Sequence, residues 1–290
     1  MIYADYFSPT GGVKKLVCSK ASSILYKAVN QAEQSFGQVT GEVLYRSFTK
    51  PAERASLSRS FLSEDFLVLG LPVYAGRIPN LLLSYLKEYN GNRTPLYLVF
   101  GYGNRHFDDA PKEAYRLFKE RGFVIREVIC AVCEHSFSSQ IARGEPTADA
   151  LGMINKTCDL NDVKLSALKA KWLKQGMLDI QKLGSLDDDV ALKPYFQPID
   201  SNGQPFNFVK IKPETISNCI SCGRCSSVCP MDAISSTNYS LITGKCIKCC
   251  ACVKACPVKA KVFTDQNFIK HKYELEEMFT AVTRPITVYL

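Results

Sequence analysis

Over the first ~180 residues, short apolar runs alternate with amphipathic stretches, the pattern of an α/β unit built on a parallel sheet. Residues 2–7 (IYADYF) read as a first strand. Residues 13–29 (VKKLVCSKASSILYKAV) read as a helix that buries Val13, Leu16, Val17, Ile24, Leu25 and Val29. Four more strands are expected in GEVLYRSF, DFLVLGLPV, TPLYLVFGYG and FVIREVICAVC, which begin at residues 41, 65, 94 and 123. Helices fit between them over 79–88, where Pro79 suits a first turn, and over 109–121, stopped by Gly122. A long helical region over 148–182 closes the unit.

The pattern then breaks. Residues 184–215 hold four prolines, an acidic DDD and the turn-rich DSNGQP, with little periodicity, and read as a linker or extended arm. A cysteine-dense module follows over 209–265, and QNFIKHKYELEEMFTAV predicts a closing helix. The expected organisation is an α/β domain at 1–183, a linker or arm at 184–208, the cysteine module at 209–265 and a helical tail at 266–290.

Composition adds one decisive fact, thirteen cysteines among 290 residues. The amino terminus reaches Pro9 and Gly11 too early for a signal peptide, and no stretch is long and uncharged enough to span a bilayer, so a soluble cytoplasmic protein is expected. In a reducing cytoplasm an odd number of thiols points to metal or cluster ligation rather than to a disulfide framework. The net charge of +8 is spread thinly without a Lys/Arg run, so no nucleic-acid partner is expected.

The cysteines repeat at an offset of 27 residues: CISCGRCSSVCPMDA from Cys219 lies over CIKCCACVKACPVKA from Cys246. Both copies spell C-x2-C-x2-C-x3-C-P, which resembles the ligand run of bacterial two-cluster ferredoxins, where the fourth cysteine of each run serves the other cluster. That rule assigns Cys219, Cys222, Cys225 and Cys256 to one [4Fe-4S] cluster and Cys246, Cys249, Cys252 and Cys229 to the second. Zinc would take two pairs, whereas each copy offers a triplet and a fourth thiol followed by proline. Cys250 would break the x2 spacing and is expected to be a bystander. Cys130 and Cys133, three apart on a strand, should face opposite sides of the sheet, while Cys18 and Cys158 read as small core residues.

Three loops carry the remaining chemistry. SPTGGVKKL, from Ser8, runs from strand into helix, where outward amides and the helix dipole favour an anion, although Ser and Thr also simply cap helices. GLPVYAGRIPN and GYGNRHFDDA, from Gly70 and Gly101, follow the third and fourth strands, at the sheet edge where open α/β folds bind ligands. Tyr74 and Tyr102 offer faces for a planar ring, and Gly76, Gly101 and Gly103 allow close backbone approach.

Through YFSPTGG, GLPVYAGRIPN, YGNRHFDDA and both cysteine runs, nearly the whole chain resembles the flavodoxin-like domain fused to a two-cluster ferredoxin that is common in anaerobes. The resemblance implies a five-stranded parallel sheet of order 2-1-3-4-5 with a small α+β ferredoxin domain. It also implies FMN, with the phosphate at Ser8, Thr10, Gly11, Gly12 and Val13. The ring would lie among Pro72, Val73, Tyr74, Ala75, Gly76 and Arg77, and Gly101, Tyr102, Gly103, Asn104, Arg105, Phe107 and Asp109. Flavodoxins usually carry T-x-T-G-N-T at the phosphate; here Gly12 and Val13 replace the last two residues, which removes one hydroxyl contact. Arg77 and Arg105 are the expected charges near the flavin, and His106 and His135 the expected structural or surface residues. The implied function is electron relay between clusters and FMN, serving redox partner proteins; a reductase of a small acceptor such as a quinone, nitro compound or metal complex is the alternative. A third possibility is an interaction protein whose clusters only fold the small module.

Overall fold

The computed structural model describes residues 1–34, 42–157, 160, 165–200, 202–206 and 208–290. In chain order the first unit comprises β1 (Ile2–Tyr6), α1 (Gly12–Gln34), β2 (Val43–Ser47), α2 (Pro51–Ser56), β3 (Phe66–Pro72), α3 (Leu83–Leu86), β4 (Pro95–Tyr102), α4 (Ala110–Glu120) and β5 (Val124–Val132). These five strands are parallel and ordered β2-β1-β3-β4-β5, the doubly wound order of flavodoxin-like sheets. β3 is an almost unbroken buried run because helices cover both of its faces. Gly70 lets α1 pack down closely, since a Cβ there would lie 2.2 Å from Val17 Cγ2.

The predicted face of α1 is buried at Val13, Leu16, Val17 and Ile24, while Leu25 and Val29 are only half-buried. The 79–88 helix is shorter than expected: a single 3-10 turn at Asn80–Leu82 leads into α3, with Pro79 capping that turn. α4 begins with Pro111 in its first turn and ends before Gly122 at φ +82°.

After β5 come α5 (Ala148–Lys156) and α6 (Ser166–Lys174). The expected helix over 148–182 does not run through: its last residues form β6 (Leu178–Gln181). The cysteine module holds β7 (Glu214–Thr215), α7 (Arg224–Ser227), α8 (Ala251–Ala255) and β8 (Lys261–Val262), with β7 and β8 antiparallel. α9 (Gln266–Phe279) then starts from Asp265, whose carboxylate accepts from the Phe268 amide at 3.0 Å. The tail is not wholly helical, because β9 (Ile286–Tyr289) inserts beside β5, antiparallel to it and parallel to β6. The sheet is therefore extended to seven strands, and the chain end is woven into the first domain.

The arm between the units is strapped across the carboxyl edge of the sheet. Lys112 pairs with Asp188 at 2.8 Å, the Phe196 amide donates to Ala75 O at 3.0 Å, and the Tyr195 hydroxyl donates to Ile78 O at 2.7 Å. The cysteine module docks on the same edge through an aromatic cluster: Phe137 lies 5.9 Å from Phe208 and 4.8 Å from Phe268, and Phe263 stacks on Phe268 at 3.9 Å. Fully burying such a ring is worth about 1.5–3 kcal/mol; Phe268 is buried here, and Phe137, Phe208 and Phe263 are half-buried around it. Polar ties flank the cluster: Lys254 reaches Glu134 Oε1 at 2.5 Å and His135 O at 2.8 Å, and Arg54 reaches Pro230 O at 3.1 Å.

Candidate functional site

The sequence repeat is also a structural repeat. Left-handed backbone recurs at the same offset, at Ser221 and Lys248 (φ +52° and +54°), Gly223 and Cys250 (+75° and +57°), and Asp232 and Lys259 (+46° and +53°). α7 and α8 each start one residue before the third cysteine of their run, and each fourth cysteine is followed by a turn whose amide points back at its sulfur. Ala233 N donates to Cys229 Sγ at 3.4 Å and Ala260 N to Cys256 Sγ at 3.1 Å. Lys248 N adds a bond to Cys246 Sγ at 3.4 Å. Amide donors of this kind stabilise thiolate charge and help set a cluster's potential.

Two voids lie inside the module. One is bounded by Cys219, Cys222, Cys225 and Cys256, the other by Cys246, Cys249, Cys252 and Cys229. Among the described residues, no three His, Cys, Asp or Glu side chains converge closely enough to grip a single metal ion. Burial pushes the Cys249 and Cys252 thiols up to about 12. At Cys256 burial is outweighed by backbone amides, including that of Ala260, and its thiol is held down.

Cys250 also borders the second void, but it occupies the left-handed position that Gly223 fills in the first copy. Its Sγ points at Lys248 O, 3.6 Å away, and it packs into the aromatic cluster. Cys130 and Cys133 fall in separate apolar cores on opposite faces of the sheet. Burial drives the Cys130 thiol well up and the Cys133 thiol to about 12, so neither offers a ready thiolate. Cys18 is half-buried rather than a full core residue, and Cys158 lies outside the described residues.

Above the carboxyl edge a cavity of about 570 Å³ opens between the two units, within the range of small-molecule and cofactor sites. Val73, Tyr74, Ala75 and Gly76 form one side, and Tyr102, Gly103 and Arg105 another. The first loop is a tight turn in which Tyr74 and Arg77 exchange backbone bonds of 3.0 and 3.1 Å across Ala75 and Gly76, both at positive φ. Gly103 meets a hard limit, because a Cβ there would lie 2.4 Å from His135 Cδ2. Burial, with the Cys249 and Cys250 thiols nearby, drives the Tyr74 phenol well above its ordinary value.

The rest of the cavity comes from parts the sequence reading did not assign to it. The arm supplies Tyr195 and Phe196, α9 supplies His271, and the second cysteine run supplies Cys246, Ile247 and Lys248. Phe196 lies 4.6 Å from the Arg105 guanidinium and 6.0 Å from the His271 ring. Lys248 Nζ donates to Cys246 O at 3.1 Å and Val209 O at 3.3 Å, so a half-buried cation sits in the wall between cavity and cysteines. His135 and His106 also border the cavity. Burial holds the His135 imidazole down at about 4, and His106 is half-exposed, stacked on Phe107 at 4.6 Å.

Several residues expected at the ring stand elsewhere. Arg77 lines a neighbouring chamber of about 550 Å³, and its guanidinium is held by Glu113, whose Oε2 accepts from Nε at 2.9 Å and Oε1 from Nη2 at 2.6 Å. Arg105 does stay on the cavity wall, where it pairs with Asp108. Asn104 turns to the end of α9, donating to Phe279 O at 3.1 Å and Val282 O at 2.8 Å. Asp109 Oδ2 accepts from the Lys193 amide at 2.7 Å, Phe107 packs edge-on against Tyr102, and Pro72 and Gly101 stay in the sheet. The loop from Ser8 to Val13 does not line the cavity. Ser8 Oγ accepts from the Lys14 amide at 3.0 Å and its own amide donates to Thr49 Oγ1 at 2.9 Å, while Thr10 is exposed. Gly11 at φ +87° turns the chain into α1, whose first-turn amides at Gly12 and Val13 have no intrahelical acceptor.

Residues 216–235 and 239–262 match the family of 4Fe-4S binding domains. No curated protein matches the chain. Solved structures similar to it include a flavodoxin from the domain Archaea, at 15% identity and TM-score 0.35, covering 60% of this chain and 98% of the other. A flavodoxin of Streptococcus pneumoniae TIGR4 is similar at 12% identity and TM-score 0.34, covering 53% and 92%. The Trp repressor binding protein of Bacillus subtilis is similar at 11% identity and TM-score 0.34, covering 56% and 100%. No helix among the described residues is long and apolar enough to cross a membrane. By its strand order and its cysteine module, the chain joins a flavodoxin-like sheet to a 4Fe-4S binding domain.

Proposed function

We propose that the protein is an electron relay joining two [4Fe-4S] clusters to one FMN. Cys219, Cys222, Cys225 and Cys256 would hold one cluster, and Cys229, Cys246, Cys249 and Cys252 the other. The observation that carries the reading is shared walls: Cys246, Ile247 and Lys248 line both the second void and the cavity between the flavodoxin-like loops. Clusters pass single electrons and a flavin holds one or two, so the pair couples one-electron to two-electron partners. A reducing compartment such as the cytoplasm keeps the thiols available for ligation.

The chain's own residues prepare that exchange. Tyr74 borders the cavity, Lys248 keeps positive charge at the dividing wall, and Phe196 stacks with His271 on the outer side. The first turn of α1 and Thr10 would take the phosphate. Anaerobic purification followed by iron, sulfide and flavin analysis should give about eight irons and one FMN per chain. A full complement of iron without any flavin, even after incubation with FMN, would refute the relay.

The chamber beside the cavity favours a second reading. It shares Ala75, Gly76 and Arg105 with the cavity and could admit a small electron acceptor. Steady turnover of a quinone or nitro compound by the reduced protein would favour such a reductase over a pure carrier.

A further inference from the structure

We propose that the void bounded by Cys219, Cys222, Cys225 and Cys256 marks the docking face for a separate protein, a one-electron carrier with an acidic surface. The proposal rests on the relay reading and adds its outer end. The two voids are not equivalent. The one at Cys246 shares its wall with the cavity, whereas the one at Cys222 shares no lining residue with it. The two sets meet back to back where Cys225 and Cys252 pack with Ile234. The outer set reaches the surface: Cys222 is exposed, with Ile220 at 60% and Ile216 at 43% exposure beside it.

Charge selects the partner. Residues 216–230 and 246–262 contain Arg224, Lys248, Lys254, Lys259 and Lys261 and no Asp or Glu. Three of these are engaged inward: Lys248 on carbonyl oxygens, Lys254 on Glu134, and Lys261 on Tyr239 O at 2.6 Å. Arg224 and Lys259 are exposed, and among the described residues neither forms an ion pair. An apolar centre with a cationic rim attracts an acidic partner and steers its approach, more strongly at low salt. The exchange balances as one electron lost by the carrier and one gained on the chain, or the reverse, with no bond made and no proton moved.

Isothermal titration of the cluster-loaded protein with an acidic two-cluster ferredoxin as probe tests this. Arg224→Glu with Lys259→Glu should weaken binding about tenfold or more at low salt and flatten its salt dependence. Arg224→Gln with Lys259→Gln should weaken it about threefold, and serves if charge reversal disturbs folding or iron content. The same reversal on α6, Lys171→Glu with Lys174→Glu, should stay within about twofold of the parent. Unchanged affinity in both rim variants, or equal affinity for a basic cytochrome, would overturn the proposal. Failure of the relay would look different: rim-dependent binding would persist while the flavin stayed oxidised beside reduced clusters.

Discussion

Glu113 links the wall of the cavity to the arm, and replacing it should loosen both. Its carboxylate, 8% exposed, accepts from Arg77 Nε and Nη2 at 2.9 and 2.6 Å and from the Ile78 amide at 2.9 Å. Arg77 in turn donates to Lys193 O at 2.7 Å and lies 5.1 Å from the Tyr195 ring, so one carboxylate positions the 74–77 turn and the strap over it. Breaking a buried pair by removing one partner costs about 3–5 kcal/mol. An unpaired buried amide accounts for about 1–3 kcal/mol of such a loss. Arg77 keeps a carbonyl partner and some access to water, which places Glu113→Ala near the lower limit, about 3 kcal/mol. Glu113→Gln retains an acceptor for Ile78 and should cost about half as much. Urea unfolding of the holoprotein should show the midpoint falling at constant slope. FMN fluorescence titration should show weakened binding in the same order, parent, Gln, Ala. If Glu113→Ala lay within about 0.5 kcal/mol of the parent with unchanged FMN affinity, the link between Glu113, the turn and the arm would be refuted.

Other consequences follow from named residues. Cys229→Ala should remove about four irons and deplete the cluster beside the cavity, while Cys256→Ala removes the outer one; loss of the same cluster in both variants would exclude the cross-over. Cys250→Ala should leave iron content unchanged, and a loss matching that of Cys252→Ala would make Cys250 a ligand. Because burial holds His135 down at about 4 against an ordinary 6.5, it is neutral in the fold while the unfolded chain takes up a proton. Its contribution is intact above pH 6.5 and falls as pH drops towards 4, by up to about 3 kcal/mol. His135→Gln should flatten that part of the stability curve, and an unchanged slope would assign the pH dependence elsewhere.

What the sequence carries is local, and what it hides is tertiary. The repeat of the cysteine runs was legible because it is written in the local spacing, and the backbone repeats with it at Ser221 and Lys248 and at Gly223 and Cys250. The central strands were legible because doubly covered strands read as continuous apolar runs. β6 and β9 were not: each is four residues long, too short for alternation to outweigh the neighbouring helical pattern, and their pairing joins residues more than a hundred positions apart. Tyr195 and Phe196 sit in a stretch without periodicity, and only docking against Ile78 and Arg105 gives them a place at the cavity. Arg77 looked like a ring contact from its loop position, but Glu113, on a helix 36 residues away, draws it to the other side of the turn.

Electrons placed on the clusters should reach the flavin within one chain. Anaerobic stopped-flow mixing of the holoprotein with a sub-stoichiometric one-electron reductant, read at separate cluster and flavin bands, measures this directly. Flavin reduction should follow cluster reduction with a first-order rate independent of protein concentration, and should be abolished in Cys229→Ala. Clusters that remain reduced beside an oxidised flavin, or a rate proportional to protein concentration, would contradict it.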